Sequence, residues 1–264
     1  MGGYNMTKKT VLSVIIILAV AMPPLAEAQF HDYTFTTRQI RLGIEGEFLD
    51  RLITWGEDQS ETSTLKSYLF LCKPGYEIRE GTTIRAILGY SLSSFNEMVF
   101  RELPFSIELD TGNIDGIALG GEALIRIIKI SRFSISARAQ FVTYIGFKEE
   151  WSLPALNVEG TATGNPSWSR FTAGPKISYQ VTEYLRPYLI VNYDTIWGKV
   201  KMKEEIEELT GEQEMTIESK SNINFSIGTL YEIIDRLDLK IEAGILPFEE
   251  GVGLSIALGA IYSF

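Results

Sequence analysis

Ten stretches of this 264-residue chain alternate apolar and polar side chains with a period of two, and no other feature restricts the fold as much. That period marks a strand with two unlike faces. In the first stretch Ile40, Leu42, Ile44, Gly46 and Phe48 alternate with Arg41, Gly43, Glu45 and Glu47. Similar stretches occupy 65–79, 83–92, 116–128, 133–141, 171–181, 188–195, 222–227, 237–245 and 254–264. Leu69 and Leu71 blur the second of them. The last runs to the final residue, Phe264, where most soluble chains fray.

The connections alternate in length. Glu80-Gly81, 129–131, 182–184 and 232–236 read as short turns. On the other side 50–64, 93–115, 147–167 and 199–216 read as long polar loops, and only 247–250 is short there. An even number of antiparallel strands, with short turns on one side and long loops on the other, is the sequence signature of a transmembrane barrel. Aromatic residues gather near the expected strand ends. Phe48, Trp55, Tyr90, Phe95, Tyr144, Phe147, Trp151, Trp168, Phe171, Tyr193 and Trp197 form one expected girdle, and Tyr179, Tyr184, Tyr231, Tyr262 and Phe264 the other.

The N-terminus supplies an export signal. Lys8 and Lys9 precede an apolar run from Val11 to Met22, too short to span a bilayer as a helix, and Ala26-Glu27-Ala28 closes it. Residues 1–28 are therefore expected to be a cleaved signal peptide, with Gln29 as the first mature residue and 29–264 as one barrel domain. Met6 is an alternative start. The chain carries a net charge of −10, and −11 after that cleavage, which argues against nucleic acid as a partner. Cys72 is its only cysteine, so no internal disulfide forms. A large sheet closed on itself is one way such a chain gains stability.

With these parts the sequence resembles the small bacterial outer-membrane β-barrel proteins. The resemblance implies an all-β, antiparallel up-and-down transmembrane barrel of about ten strands (eight to twelve), located in the outer membrane after export. It also implies contact with outer-membrane lipid and lipopolysaccharide. Tyr262-Ser263-Phe264 resembles the C-terminal aromatic signal read by the barrel-insertion machinery. In such a barrel the charged face lines the lumen. The expected lumen residues are Arg41, Glu45, Glu47, Arg85, Glu122, Arg126, Arg138, Lys176, Asp194, Lys240 and Glu242. A soluble barrel of lipocalin type would instead turn its apolar face inward.

Chemistry is sparse. The single histidine, His31, lies before the first strand. Barrel enzymes of the omptin protease, phospholipase and lipid A deacylase types use a histidine with a Ser or Asp partner to handle a proton. No strand of this chain carries one, so an enzyme is not expected. Ser134, Ser136 and Ser226 read as lumen hydroxyls, and Glu45 with Glu47 as ion-pair partners rather than an acid–base dyad. Cys72 reads as a small lipid-facing residue. Gly-rich 118–121 lacks phosphate-loop spacing, and no metal or cofactor motif occurs. The stretch Lys199 to Ser219 is expected to form a short helical turn ended by Gly211, its carboxylates solvated rather than bridging Ca²⁺ or Mg²⁺ to lipopolysaccharide. Trp55, Phe95, Phe100, Phe105 and Trp151 are expected to offer apolar contacts to a partner from the loops. Two roles follow: a narrow passive pore for a small solute, or a non-conducting structural or surface-binding barrel. A contiguous Arg–Glu network across the bore favours the second, and segregated acidic and basic stripes favour the first.

Overall fold

The computed structural model describes residues 40–55, 61–96, 98–100, 107–109, 111–152, 160–206, 209–219, 222–248 and 251–264. The expected signal peptide, His31 and Phe105 lie outside them, as does the Phe100 side chain.

Ten strands close into one antiparallel ring. They are β1 (Ile40–Trp55), β2 (Glu61–Arg79), β3 (Thr82–Asn96), β6 (Ile114–Ile130), β7 (Phe133–Gly146), β9 (Gly160–Tyr179), β10 (Leu185–Ile206), β12 (Ile223–Ile234), β13 (Leu237–Phe248) and β14 (Gly251–Ser263). β14 pairs with β1 from Arg41↔Ser263 to Asp50↔Leu254, and Phe264 N–H donates to the Ile40 carbonyl at 3.0 Å. The pairing of β14 with β1 is thus the seam of the ring. A closed ring satisfies every ladder hydrogen bond and leaves no edge in lipid.

Four shorter strands lie on the long-connection side. β4 (Met98–Phe100) and β5 (Ile107–Leu109) form a hairpin, β8 (Glu149–Ser152) continues the line of β7 along β9, and β11 (Leu209–Ser219) pairs with both β10 and β1. This corrects the expectation of long polar loops. Much of 50–64, 147–167 and 199–216 is strand, and β9 and β10 reach 20 and 22 residues. The helical turn expected in Lys199–Ser219 is a β-hairpin. The reason is visible in the residues: Val200, Met202 and Glu204 are buried while Lys199 and Lys201 are exposed, a period of two rather than 3.6.

β12, β13 and β14 have only 12, 12 and 13 residues, close to the length needed to cross a bilayer at a tilt. Above them β11 folds back from β10 and meets the end of β1 at Ile53↔Ser219 to Trp55↔Ile217. The ring is therefore ten-stranded at the short-turn end and eight-stranded at the other, where β11 stands in for three strands.

The outer surface carries a belt of exposed apolar residues, including Ile44, Phe70, Leu88, Leu119, Phe141, Leu189, Ile227, Ile241 and Leu258. Exposed Tyr179, Tyr184, Tyr231, Tyr262 and Phe264 edge the belt at the short-turn rim, as expected. The upper girdle needs correction. Tyr90, Phe147 and Trp197 are exposed, but Trp55, Phe95, Tyr144 and Trp168 point inward and are buried. Strand alternation assigns the face: Trp55 shares parity with Glu45, Phe95 with Arg85, Tyr144 with Arg138, and Trp168 with Lys176.

Candidate functional site

The interior divides into layers. Nearest the short turns, Arg41 bonds Glu77 at 2.5 Å, while Arg126 and Lys129 reach Glu80 in the turn at 2.8 and 3.3 Å. These two donors hold the exposed Glu80 carboxyl below the usual glutamate range.

Deeper in the ring lies a chain of ion pairs. Lys73 bonds Glu45 at 2.6 Å, and Glu45 also accepts from Lys240 at 2.9 Å. Lys240 meets Glu242 at 3.2 Å. Arg138 donates to Glu242 at 3.3 Å and to Glu122 at 3.0 Å, and Arg85 donates to Glu122 at 2.6 Å. Because Arg138 stands on β7 and Glu242 on β13, this bond crosses the bore. Glu45, Lys73, Glu122 and Lys240 are buried.

A second network sits above the first. Arg170 on β9 donates to Glu47 on β1 at 2.6 Å, directly across the ring, and to Asp194 on β10 at 2.8 Å. Arg51 donates to the Asp194 side chain and, at 3.0 Å, to its carbonyl. Arg51 and Asp194 are fully buried. Between the two networks is a cavity of only about 20 Å³, lined by Glu45, Arg138, Arg170, Asn224 and Ser226 among others.

Over the second network the lumen turns apolar. Leu49, Ile53, Trp55, Leu65, Leu69, Leu71, Ile87, Phe95, Ile114, Ala118, Val142, Tyr144, Trp168, Ile196, Val200, Met202, Met215 and Ile217 belong to one buried cluster. Tyr144 stacks on Trp168 with ring centroids 3.7 Å apart. Every residue of the cluster comes from the eight strands of the upper ring and none from β12, β13 or β14. An eight-stranded barrel is just wide enough for side chains to fill it. The outer face is polar at the same height: Thr54, Lys66, Ser94, Asn96 and Lys199 point away from the cluster. The polarity of the wall inverts, from apolar-out around the ion pairs to apolar-in around the cluster.

All eleven residues expected to line the lumen fall on the inward side of the ring, and ten of them enter ion pairs. The exception is Lys176, whose ammonium lies 3.6 Å from the centroid of the Tyr188 ring. Arg126 lies at the rim rather than in the bore. Sequence reasoning missed Lys73 and Arg51, both buried, and Arg170 and Glu77. Each shares the inward parity of an expected lumen residue on its own strand or its partner. Cys72 is exposed on the outer face. Of the aromatics expected to contact a partner from the loops, Trp55 and Phe95 are instead buried in the apolar cluster, and Trp151 is half-buried with its indole N–H donating to the Thr111 carbonyl at 3.0 Å. Their strands continue past the predicted loop starts and carry them inside. On the outer hairpin Lys201 bonds Glu214 at 3.1 Å, and Lys199 also bonds it, which lowers the Glu214 carboxyl. Among the described residues no group of three or more His, Cys, Asp or Glu side chains is placed to hold a metal ion.

The closed ring, the apolar outer belt and the buried charged lumen define a transmembrane β-barrel of the outer-membrane type. In this class the short turns face the periplasm and the long hairpins the outside. No protein-family model matches the chain, and no curated relative matches it. Among solved structures it is similar to the translocator domain of autotransporter NalP from Neisseria meningitidis (12% identity, 97% of this chain and 98% of that one, TM-score 0.47). It is also similar to the attachment invasion locus protein Ail of Yersinia pestis (12%, 86% and 99%, TM-score 0.34) and to the outer-membrane protease OmpT of Escherichia coli (9%, 86% and 95%, TM-score 0.41).

Proposed function

We propose that this protein is a non-conducting outer-membrane barrel that carries a rigid, soluble-type β-barrel above the membrane and works through its outward surface, in a structural or surface-binding role. The observation that carries this reading is the double closure of the bore: two ion-pair networks cross it, and an apolar cluster fills it above them. An ion in transit would have to break buried, geometrically matched pairs and then enter a dry layer, and both steps are costly.

The test is conductance of the refolded mature chain in a planar bilayer at two salt concentrations. A heat-modifiable barrel that inserts and stays silent is the expected result. Discrete, reproducible steps would overturn the reading in favour of a narrow passive pore. We further infer that Tyr262 and Phe264, exposed at the periplasmic rim with ring centroids 5.0 Å apart, are the handle for the insertion machinery. Deleting Phe264 should then slow assembly in cells while leaving refolding into detergent intact. N-terminal sequencing of the exported protein should begin at Gln29.

A further inference from the structure

Below the first ion-pair network the bore opens into a vestibule of about 140 Å³ that faces the short turns. On the scale where one water needs about 10–15 Å³, it has room for a small organic or inorganic ion with its hydration water. Its wall carries eight Lys and Arg side chains against five Asp and Glu, an excess of three positive charges in a chain whose net charge is −10. The excess is not spread evenly. On the β7–β9–β10 side, Ser136 stands opposite Lys176, and Ser178 stands opposite both Ser134 and Tyr188. Arg186 lies two residues before Tyr188, on the same inward parity, and also lines the vestibule. Among the described residues neither Lys176 nor Arg186 forms an ion pair. The Lys176 ammonium rests on the Tyr188 ring instead, while the Tyr188 hydroxyl donates to Glu242 at 2.8 Å.

Two cations that form no ion pair among the described residues, interleaved with three serine hydroxyls on adjacent strands, make a cluster of donors in which Glu242 acts on Lys176 only at longer range. A half-buried ammonium gains most from a counter-charge in a site where water is scarce. We propose that this vestibule is a binding site for a small oxyanion, a carboxylate or phosphate of a periplasmic solute, held by Lys176 and Arg186 and hydrogen-bonded by Ser134, Ser136 and Ser178. The site lies inside the ring, away from the lipid-facing belt, so the ligand is a free solute and not a lipid headgroup. The vestibule ends on the bore-crossing ion pairs, so an anion that enters binds or leaves by the same mouth. That last point rests on the closed-bore reading. Binding is read in micelles and closure by conductance, so the two fail separately.

The experiment is isothermal titration of the refolded mature chain, in detergent, with inorganic phosphate and with succinate. Saturable binding is expected, weakened at least tenfold in Lys176→Met and unchanged in Lys199→Met on the outer hairpin. Should Lys176→Met not fold, Arg186→Gln at the exposed rim takes its place and should also weaken binding. Adding phosphatidylglycerol to the micelles should leave phosphate binding unaltered. Absence of saturable heat up to 10 mM ligand, on the order of a weak millimolar site, would overturn the proposal. So would binding that both vestibule variants retain, or displacement of phosphate by the lipid.

Discussion

Gly120 and Gly121 are neighbours on β6, yet they face different constraints. A Cβ on Gly120 would stand 2.1 Å from the Phe141 carbonyl oxygen, whereas one on Gly121 would meet only the Arg85 carbonyl at 3.5 Å, an ordinary contact. Gly120 points inward, where the β6 and β7 backbones approach too closely for any side chain. Gly120→Ala should therefore destabilise the barrel by about 1–3 kcal/mol, the range typical of overpacking, and Gly121→Ala should leave stability nearly unchanged. Urea-driven unfolding from lipid vesicles measures both. Glu80 offers a test by pH at the same scale. Arg126 and Lys129 depress its carboxyl, and its folded value lies below its unfolded one. Its contribution is thus fully present above the unfolded value and is lost as pH falls through the folded one. Because the site is exposed the contribution is small, so the clean readout is an NMR titration of the Glu80 carboxyl. Its midpoint should lie below that of an ordinary glutamate and move up in Arg126→Gln.

At the scale of the strand, polarity inversion is the property to test. On β3, Ile84, Leu88 and Tyr90 face outward within the apolar belt, while Ser94 and Asn96 face outward above it. Leu88→Arg should cost about 2–4 kcal/mol on folding into vesicles, the penalty for a lipid-facing arginine near the midplane, and Ser94→Arg about 0–1 kcal/mol. A similar cost at both positions would mean that lipid covers the whole strand and that no extension stands clear of it. The inversion also accounts for what could be read from the sequence. Between Arg41 and Phe48 the apolar and outward faces coincide, so the strand, its register and its lumen residues were legible from alternation alone. From Leu49 to Trp55 the same parity continues, but Leu49, Ile53 and Trp55, apolar residues, now share the inward positions with Arg51. A reading that equates apolar with outward therefore stops at residue 49, takes the rest as loop, and assigns Trp55 to a girdle. Carrying parity through the inversion would have placed Trp55, Phe95, Tyr144 and Trp168 inside, and would have read Lys199–Met202 as strand. No local signal predicts that β11 meets β1, since that pairing joins Ile53 to Ser219 and depends on the closure of the entire ring.

In the whole molecule these layers act in series, and that arrangement makes a distinctive prediction about opening. The lower barrier is electrostatic and depends on Arg138 and Arg170, whose bonds to Glu242 and Glu47 cross the ten-stranded ring. The upper barrier is steric and apolar, and Trp55 and Trp168 are its bulkiest parts in the eight-stranded ring. Flow through two resistances in series is limited by the larger, so clearing one alone leaves the path shut. Arg138→Ala with Arg170→Ala removes the crossing cations but leaves the apolar cluster. Trp55→Ala with Trp168→Ala hollows the upper lumen, at a cost of about 3–5 kcal/mol for each indole, but leaves the ion pairs. Each double variant should remain silent in a planar bilayer. The quadruple variant should show discrete steps, with cation preference set by Glu47, which loses its bond to Arg170, and by Glu122 and Glu242, which each lose Arg138. Heat-modifiable mobility of all three variants establishes that they are still barrels. Conductance from the arginine pair alone would show that the upper cluster is permeable and reduce the closure to one layer. Silence of a folded quadruple variant would place the barrier elsewhere in the bore.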